Sequence, residues 1–180
     1  HEALQDAIRN HRNILVIGGT GSGKTTLVNA IIHEMVMFDP LERVFILEDT
    51  GEIHCAAENF VQYHTSLEVP MTALLKTTLR MRPDRILVGE VRGAEALDLL
   101  DAWNTGHEGG AATLHANNAA AGLARLRSLI TRNASAPAEI EPLIGEVVHV
   151  VVHIARTLEG GRRIQEILEV CGYVDGRYLT

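Results

Sequence analysis

Cysteine, lysine and aromatic residues are scarce in this 180-residue sequence, long apolar runs are missing, and each shortage closes off a class of protein. The two cysteines, Cys55 and Cys171, are far apart and neither belongs to a C-x-x-C pair. That excludes a disulfide framework and a zinc ribbon, and it suits a reducing compartment. No apolar run reaches the ~18 residues of a membrane-spanning helix, and the residues show no signal-peptide pattern. The longest candidate, 147–155, is broken by His149 and His153 and reads as a strand. Basic residues are outnumbered 16 to 23, leaving a net charge of −7. A chain that holds DNA through its phosphates carries the opposite balance, so no direct nucleic-acid binding is expected. Only Lys24 and Lys76 among the basic residues are lysines, so a lysine at a motif position carries more information than usual.

What is present is the composition of an ordinary folded domain: 46% hydrophobic and 22% charged. A chain of this size buries roughly 70% of the surface its unfolded form exposes, so no covalent staple is needed. Residues 1–180 read as one domain. Short, continuously apolar runs at 14–17, 44–47, 85–88 and 111–114 have the pattern of parallel strands covered on both faces. Helical spacing predicts helices over 4–11, 25–37, 70–79, 94–103 and 119–132, with a shorter one after Pro137. Pro70 suits a first helical turn and Gly106 a helix end. A weakly alternating stretch at 60–65 suits an edge strand. Strands over 147–155 and 163–173, joined by a Glu159-Gly160-Gly161 turn, close the chain. Alternating strands and helices with a β-rich end predict an α/β fold with a mostly parallel sheet and antiparallel strands at its C-terminal edge. The sequence starts at His1 rather than Met and is already in a helical pattern there, as expected of a segment of a longer protein.

Gly18-Gly19-Thr20-Gly21-Ser22-Gly23-Lys24-Thr25 satisfies G-x-x-x-x-G-K-[ST] in full, between a buried strand and a helix. Glycines let the backbone curl so that successive N–H groups face phosphate oxygens. The helix N-terminus adds its dipole. Lys24 offers a point charge to the β- and γ-phosphates, and the Thr25 hydroxyl offers a ligand to Mg²⁺. The expected nucleotide cradle is Gly19, Thr20, Gly21, Ser22, Gly23, Lys24, Thr25 and Thr26, with ATP and Mg²⁺ as cofactors.

Hydrolysis further needs acids near the metal and the attacking water. Glu48-Asp49-Thr50-Gly51-Glu52 and Gly89-Glu90 follow two of the predicted strands, at the ends where open α/β sheets bind ligands. Arg80 and Arg82 precede the second of these strands, and an arginine can neutralise charge on a γ-phosphate within its own subunit or from a neighbour. His107 and His115 bracket the strand at 111–114. Trp103 reads as packing, His149 and His153 as the solvent or edge face of a strand, and Arg162-Arg163 as a solvated hairpin tip.

Taken in order, the P-loop, Glu-Asp-Thr-Gly-Glu, Arg-Met-Arg-Pro-Asp with Gly-Glu-Val-Arg-Gly, and Thr-Leu-His-Ala-Asn-Asn resemble the secretion and traffic ATPases of bacterial type II and type IV systems. The motifs correspond to that family's Walker A, Asp box, degenerate Walker B and His box, over about residues 12–127. The conjugative and type IV secretion branch, the VirB11/TrbB-like ATPases, is the most similar. Type II and pilus ATPases are sister groups, many of the former carrying a tetracysteine element that this sequence lacks.

The resemblance implies a RecA-like domain working as a homohexamer, with ATP near subunit boundaries. It makes Glu52 the group that activates water and Glu90 the Walker B glutamate, acting on Mg²⁺ directly or through water. Arg82 and Arg80 would touch the γ-phosphate, His115 would sense or polarise it with His107 as a further candidate, and Asp49 would support the site. It also implies inner-membrane secretion components as partners and a cytoplasmic protein held at that membrane through them. Family members carry an N-terminal domain before this one, so the chain is expected to be the C-terminal ATPase domain. Two other readings of the same residues are a DNA-dependent RecA-like motor, which the acidic balance disfavours, and a nucleotide-gated scaffold, which the presence of both Glu52 and Glu90 disfavours.

Overall fold

Four-residue apolar runs are too short for a helical stripe and too continuous to leave one face in water, so they become strands covered on both sides. The computed structural model describes residues 2–157 and 160–180. In chain order the elements are α1 (Glu2–Arg9), β1 (Ile14–Ile17), α2 (Lys24–Phe38), β2 (Val44–Glu48), β3 (Phe60–His64), α3 (Met71–Thr78) with a 3₁₀ turn at Leu79–Met81, β4 (Arg85–Val88), α4 (Glu95–Asn104), β5 (Ala111–Leu114), α5 (Ala119–Ile130), α6 (Ile140–Val147), β6 (Val150–Arg156), β7 (Arg162–Glu169), β8 (Gly172–Val174) and β9 (Arg177–Leu179).

Seven strands form one sheet in the order β3-β2-β4-β5-β1-β6-β7. Strands β1 to β6 run parallel, and β7 closes the edge antiparallel to β6. Alternate side chains of each strand feed two separate cores. Leu15, Ile17, Ile86 and Val88 pack under α3, α4, α5 and α6. Ile14, Val16, Ile46 and Leu87 pack under α1 and α2, against Ile8, Val28, Ile32 and Met35. Each such aliphatic side chain contributes roughly 1.5–3 kcal/mol by leaving water. Trp103 is buried between α4 and the sheet, where its Nε1–H donates to the Ile86 carbonyl at 3.2 Å. Gly110 gives it room, since a Cβ there would collide with that carbonyl and the indole. Among the described residues no helix is long and apolar enough to cross a membrane.

The helix and edge-strand expectations hold, with Pro70 as the cap of α3 and Gly106 (φ +91°) just beyond the end of α4. Two expectations at the C-terminal end do not. Val147 ends a helix instead of starting a strand, because Ile140, Ile144 and Val147 share one helical face; the period-two pattern begins only at Val150. The strand expected over 163–173 stops at Glu169. Gly172–Val174 leaves the main sheet and pairs with Arg177–Leu179 across an Asp175-Gly176 turn with both φ positive. Such Asp-Gly pairs are a hairpin signal in the sequence itself. The Glu159 corner of the expected β6–β7 turn lies outside the described residues.

The N-terminal ends of the strands are pinned by a buried polar staple. Arg85 is fully buried and pairs with Glu42 through Nε and Nη2, while Nη1 donates to the Gly109 carbonyl at 2.9 Å and Nη2 to the Ile8 carbonyl at 3.2 Å. Asn13, just before β1, accepts from the Gly109 N–H at 2.8 Å and donates to the Val147 carbonyl at 2.8 Å. His149 is half-buried, with Nδ1 accepting the Asn13 N–H at 2.9 Å, so it is an anchor rather than a solvent-facing residue. Burial holds its pKa below the usual histidine value.

Candidate active site

Where β1 ends the backbone must turn sharply into α2, and the glycines of the loop make that possible. A Cβ on Gly18 would collide with the Ile154 carbonyl. Gly21 and Gly23 have φ of +68° and +102°, in the left-handed region that favours glycine. Gly23 caps α2 without any side-chain hydrogen bond, and the first helical bond runs from Leu27 N–H to the Gly23 carbonyl at 2.9 Å. The N–H groups of Lys24, Thr25 and Thr26 are therefore first-turn donors with no partner inside the helix, at the positive end of its dipole.

Lys24 folds back over the loop, its ammonium donating to the Gly18 and Gly19 carbonyls at 3.1 Å each. Burial lowers its pKa, and the negative charge of Glu90 works in the opposite direction. The Thr25 hydroxyl lies 3.3 Å from Glu52 Oε2, and the Thr50 hydroxyl 3.4 Å from Glu52 Oε1. Glu52 thus faces the first turn of α2 between two hydroxyls.

Its position is set by Glu48, the last residue of β2 and a buried acid. Glu48 accepts the N–H groups of Glu52 (3.3 Å) and Ile53 (3.1 Å), the Gln62 amide at 2.7 Å and a His64 contact at 3.3 Å. Gly89 is what admits it, because a Cβ there would stand 2.8 Å from Glu48 Cβ. The glycine before Glu90 therefore has a packing reason.

Glu90, next along, sits between an imidazole and a guanidinium. His115 Nε2 lies 2.7 Å from Oε1, and Arg92 Nη2 is paired with Oε2. Arg92 also reaches Asp49 at 3.1 Å, and Asp49 accepts the Thr65 hydroxyl at 2.7 Å. The hydrogen bond that Arg92 donates to Glu90 raises its pKa above the ordinary value, so that cation persists at any working pH. The Thr113 hydroxyl donates to the Gly89 carbonyl at 2.5 Å, tying the ends of β4 and β5 together.

These groups converge on one open cavity of about 460 Å³, within the range of small-molecule sites. Of the expected residues, the loop from Thr20 to Thr26 lines it, together with Asp49, Glu52, Glu90 and His115. Gly19 is exposed and outside the lining, and its carbonyl accepts from Lys24. Ser22 also shapes the loop: its N–H closes a turn onto Gly19 at 3.3 Å and its hydroxyl is buried.

Arg80, Arg82 and His107 are not brought to the cavity of their own chain. Arg80 and Arg82 stand before β4 and His107 before β5, at the opposite ends of strands whose C-terminal ends carry the site. Parallel strands place the residues that precede them on the far edge of the sheet. Arg82 is held there with φ +56° ahead of Pro83. Neither arginine can neutralise charge in its own cavity from that edge.

Three charged cavity residues had no catalytic or binding role in the sequence reading. Glu48 was legible as the acid that ends an apolar run, and Arg92 as the cation two residues from Glu90. Arg162 had no local signal. It is exposed, as expected of a hairpin tip, but its Nε–H donates to the Gly21 carbonyl at 3.3 Å and it lines the cavity.

Among the described residues no cluster of three or more His, Cys, Asp or Glu gathers to hold a metal alone. Thr25 with nearby acids fits Mg²⁺, which takes one or two protein ligands and completes its shell with waters and substrate phosphates.

Comparison with known proteins agrees with this fold. The chain is 53% identical over 178 residues to the conjugal transfer protein TrbB of Rhizobium radiobacter, covering 99% of this chain and 54% of that one. It is 52% identical over 175 residues to a probable TrbB of Sinorhizobium fredii, covering 97% and 53%. The chain thus spans about half the length of the curated relatives it matches. The crystal structure of the VirB11 ATPase from the Brucella suis type IV secretion system superposes with a TM-score of 0.87 at 35% identity, over 93% of this chain and 51% of that one. The family model for type II/IV secretion system proteins matches residues 1–167, and with this fold and these motifs the chain belongs to that family.

Proposed function

We propose that the chain is the RecA-like ATPase domain of a motor serving a bacterial type IV secretion or conjugation system, hydrolysing ATP with Mg²⁺. The observation that carries this reading is the meeting, across one cavity, of Lys24 and Thr25 with Glu52 and the Glu90–His115 pair. The N–H groups of the first turn of α2 and the Lys24 ammonium hold the phosphate chain. When bound, Mg²⁺ neutralises charge on the β- and γ-phosphate oxygens; Thr25 would hold it, with Glu90 on it directly or through water. Glu52, aimed by the grip of Glu48 on its backbone, takes a proton from the attacking water. Glu90 holds His115 toward the phosphate end, where its imidazole polarises the terminal phosphate. Arg82 and Arg80, on the far edge of their own sheet, serve the γ-phosphate of a neighbouring copy in a homohexamer. The ring docks on inner-membrane components at the cytoplasmic face and couples subunit repacking to transfer.

The test is ATP turnover per chain against protein concentration, with and without Mg²⁺, alongside light scattering on the same samples. Mg²⁺-dependent turnover that rises as a hexamer forms is the expected result. Unchanged turnover after Lys24→Ala would sink the reading.

A further inference from the structure

The β6–β7 hairpin brings to the phosphate loop a cation that none of the nucleotide motifs contains. Arg162 opens β7 and reaches across to the loop after β1, with its Nε–H on the Gly21 carbonyl. Its Cδ lies 2.7 Å from where a Cβ on Gly23 would stand. The bare Gly23 therefore does two things: it takes the left-handed turn into α2, and it lets the arginine stem lie over the helix N-terminus. The hairpin is braced at a second point, where Glu166 accepts the N–H of Ala119, the first residue of α5, at 2.8 Å.

The charge inventory of the cavity gives this arginine a task. Glu48, Asp49, Glu52 and Glu90 all line it, and a nucleotide adds several more negative charges. Arg92 is committed to Glu90 and Asp49. Lys24 is then the remaining cation of the loop, and it cannot present the planar fork that suits phosphate oxygens. A guanidinium carries five N–H groups, and the bond to Gly21 uses one of them.

We propose that Arg162 is a second phosphate-binding cation of this site, contacting a nucleoside di- or triphosphate from the hairpin side while its Nε–H stays on the loop. The proposal rests on the nucleotide-site reading above. It makes the antiparallel edge of the sheet part of the nucleotide pocket, so that the position of the hairpin follows the bound phosphates.

The test is equilibrium binding of fluorescent ATP and ADP to the full-length protein over a range of salt concentrations. The variants are Arg162→Ala, Arg162→Gln, Arg162→Lys, Lys24→Ala and, on the same strand but outside the cavity lining, Arg163→Ala. Removing a hydrogen-bonded charge predicts about tenfold weaker binding of both nucleotides for Arg162→Ala and Arg162→Gln, with a shallower salt dependence. Lysine restores part of the affinity, Arg163→Ala binds like the parent, and Arg162→Ala and Arg162→Gln melt at the parental temperature. Parental affinity in Arg162→Ala overturns the proposal. So does recovery by glutamine, which can still bond Gly21 but carries no charge and would mark a purely structural role. Lys24→Ala separates the two levels: if it too binds like the parent, the nucleotide site itself is wrong, whereas its loss beside an unaffected Arg162→Ala removes only the arginine.

Discussion

Arg85 and Lys24 stand at opposite ends of the same parallel sheet, both largely buried, and they are used in opposite ways. Arg85 opens β4 with its guanidinium consumed by Glu42 and two backbone carbonyls, beside Asn13 holding the next loop. Lys24 follows β1 and bonds only to two carbonyls of its own loop, at a cavity wall facing Glu52 and Glu90. A buried ion with every partner in place fixes one conformation and has nothing left to offer a ligand. Glu52, on the same cavity wall, is held more lightly, through bonds of 3.3 and 3.4 Å to hydroxyls, and can exchange those partners. Charge at a strand end thus signals a site only when its partners can be exchanged for a ligand.

The largest expected effect lies on the cavity side. Glu52→Gln and Glu90→Gln should each lower ATP turnover by roughly 10²–10⁴-fold, the range of a lost acid–base group, while nucleotide affinity is retained. Residual turnover near the parental rate in either variant would move that carboxylate from the chemistry to the scaffold. On the other edge, Arg85→Ala leaves Glu42 buried with His11 Nε2, 3.0 Å from Oε1, in place of a guanidinium held through two nitrogens. It should cost about 3–5 kcal/mol in urea unfolding, with turnover per folded chain unchanged. A double replacement by Met at Arg85 and Leu at Glu42 should recover most of that loss. If Arg85→Ala instead weakened nucleotide binding at undiminished stability, the division between the two edges would collapse.

The smallest effect concerns His149, whose neutral Nδ1 accepts the Asn13 N–H and whose pKa is lowered by burial. A folded-state pKa below the unfolded value of about 6.5 means that the unfolded chain binds the proton more readily. Its contribution is therefore fully present above about pH 6.5 and is lost as pH falls through the lower folded-state value. Unfolding measured from pH 7 to pH 5.5 should show this decline, and His149→Asn, which keeps an acceptor without titrating, should flatten it. An equal decline in both proteins would assign the effect to other groups.

Strand and helix identity was legible over most of the chain, because parallel strands and amphipathic helices leave different apolar periods in the sequence. At 147–150 the two periods abut, and the helix takes Val147 because Ile140 and Ile144 already define its buried face. The Asp175-Gly176 hairpin had a signal that composition and periodicity alone pass over. Within the site, the residues with short-range signatures were readable: the loop from Thr20 to Thr26, Glu52, Glu90 and His115 all line the cavity. Arg80, Arg82 and His107 have equally suggestive neighbours in sequence yet precede their strands, and a parallel sheet carries them to the far edge.

By itself, then, the amino-acid sequence determined which residues make a phosphate loop, which runs become buried strands, and that acids follow those strands. Local sterics and apolar periodicity act over only a few residues, so they are written in short stretches of sequence. Only the tertiary structure decided that Glu48 grips the Glu52 turn, that Arg92 and His115 share Glu90, and that Arg162 crosses from the last strand of the sheet to Gly21. Those contacts depend on strand order, which places β6 beside β1, and no local pattern encodes that order.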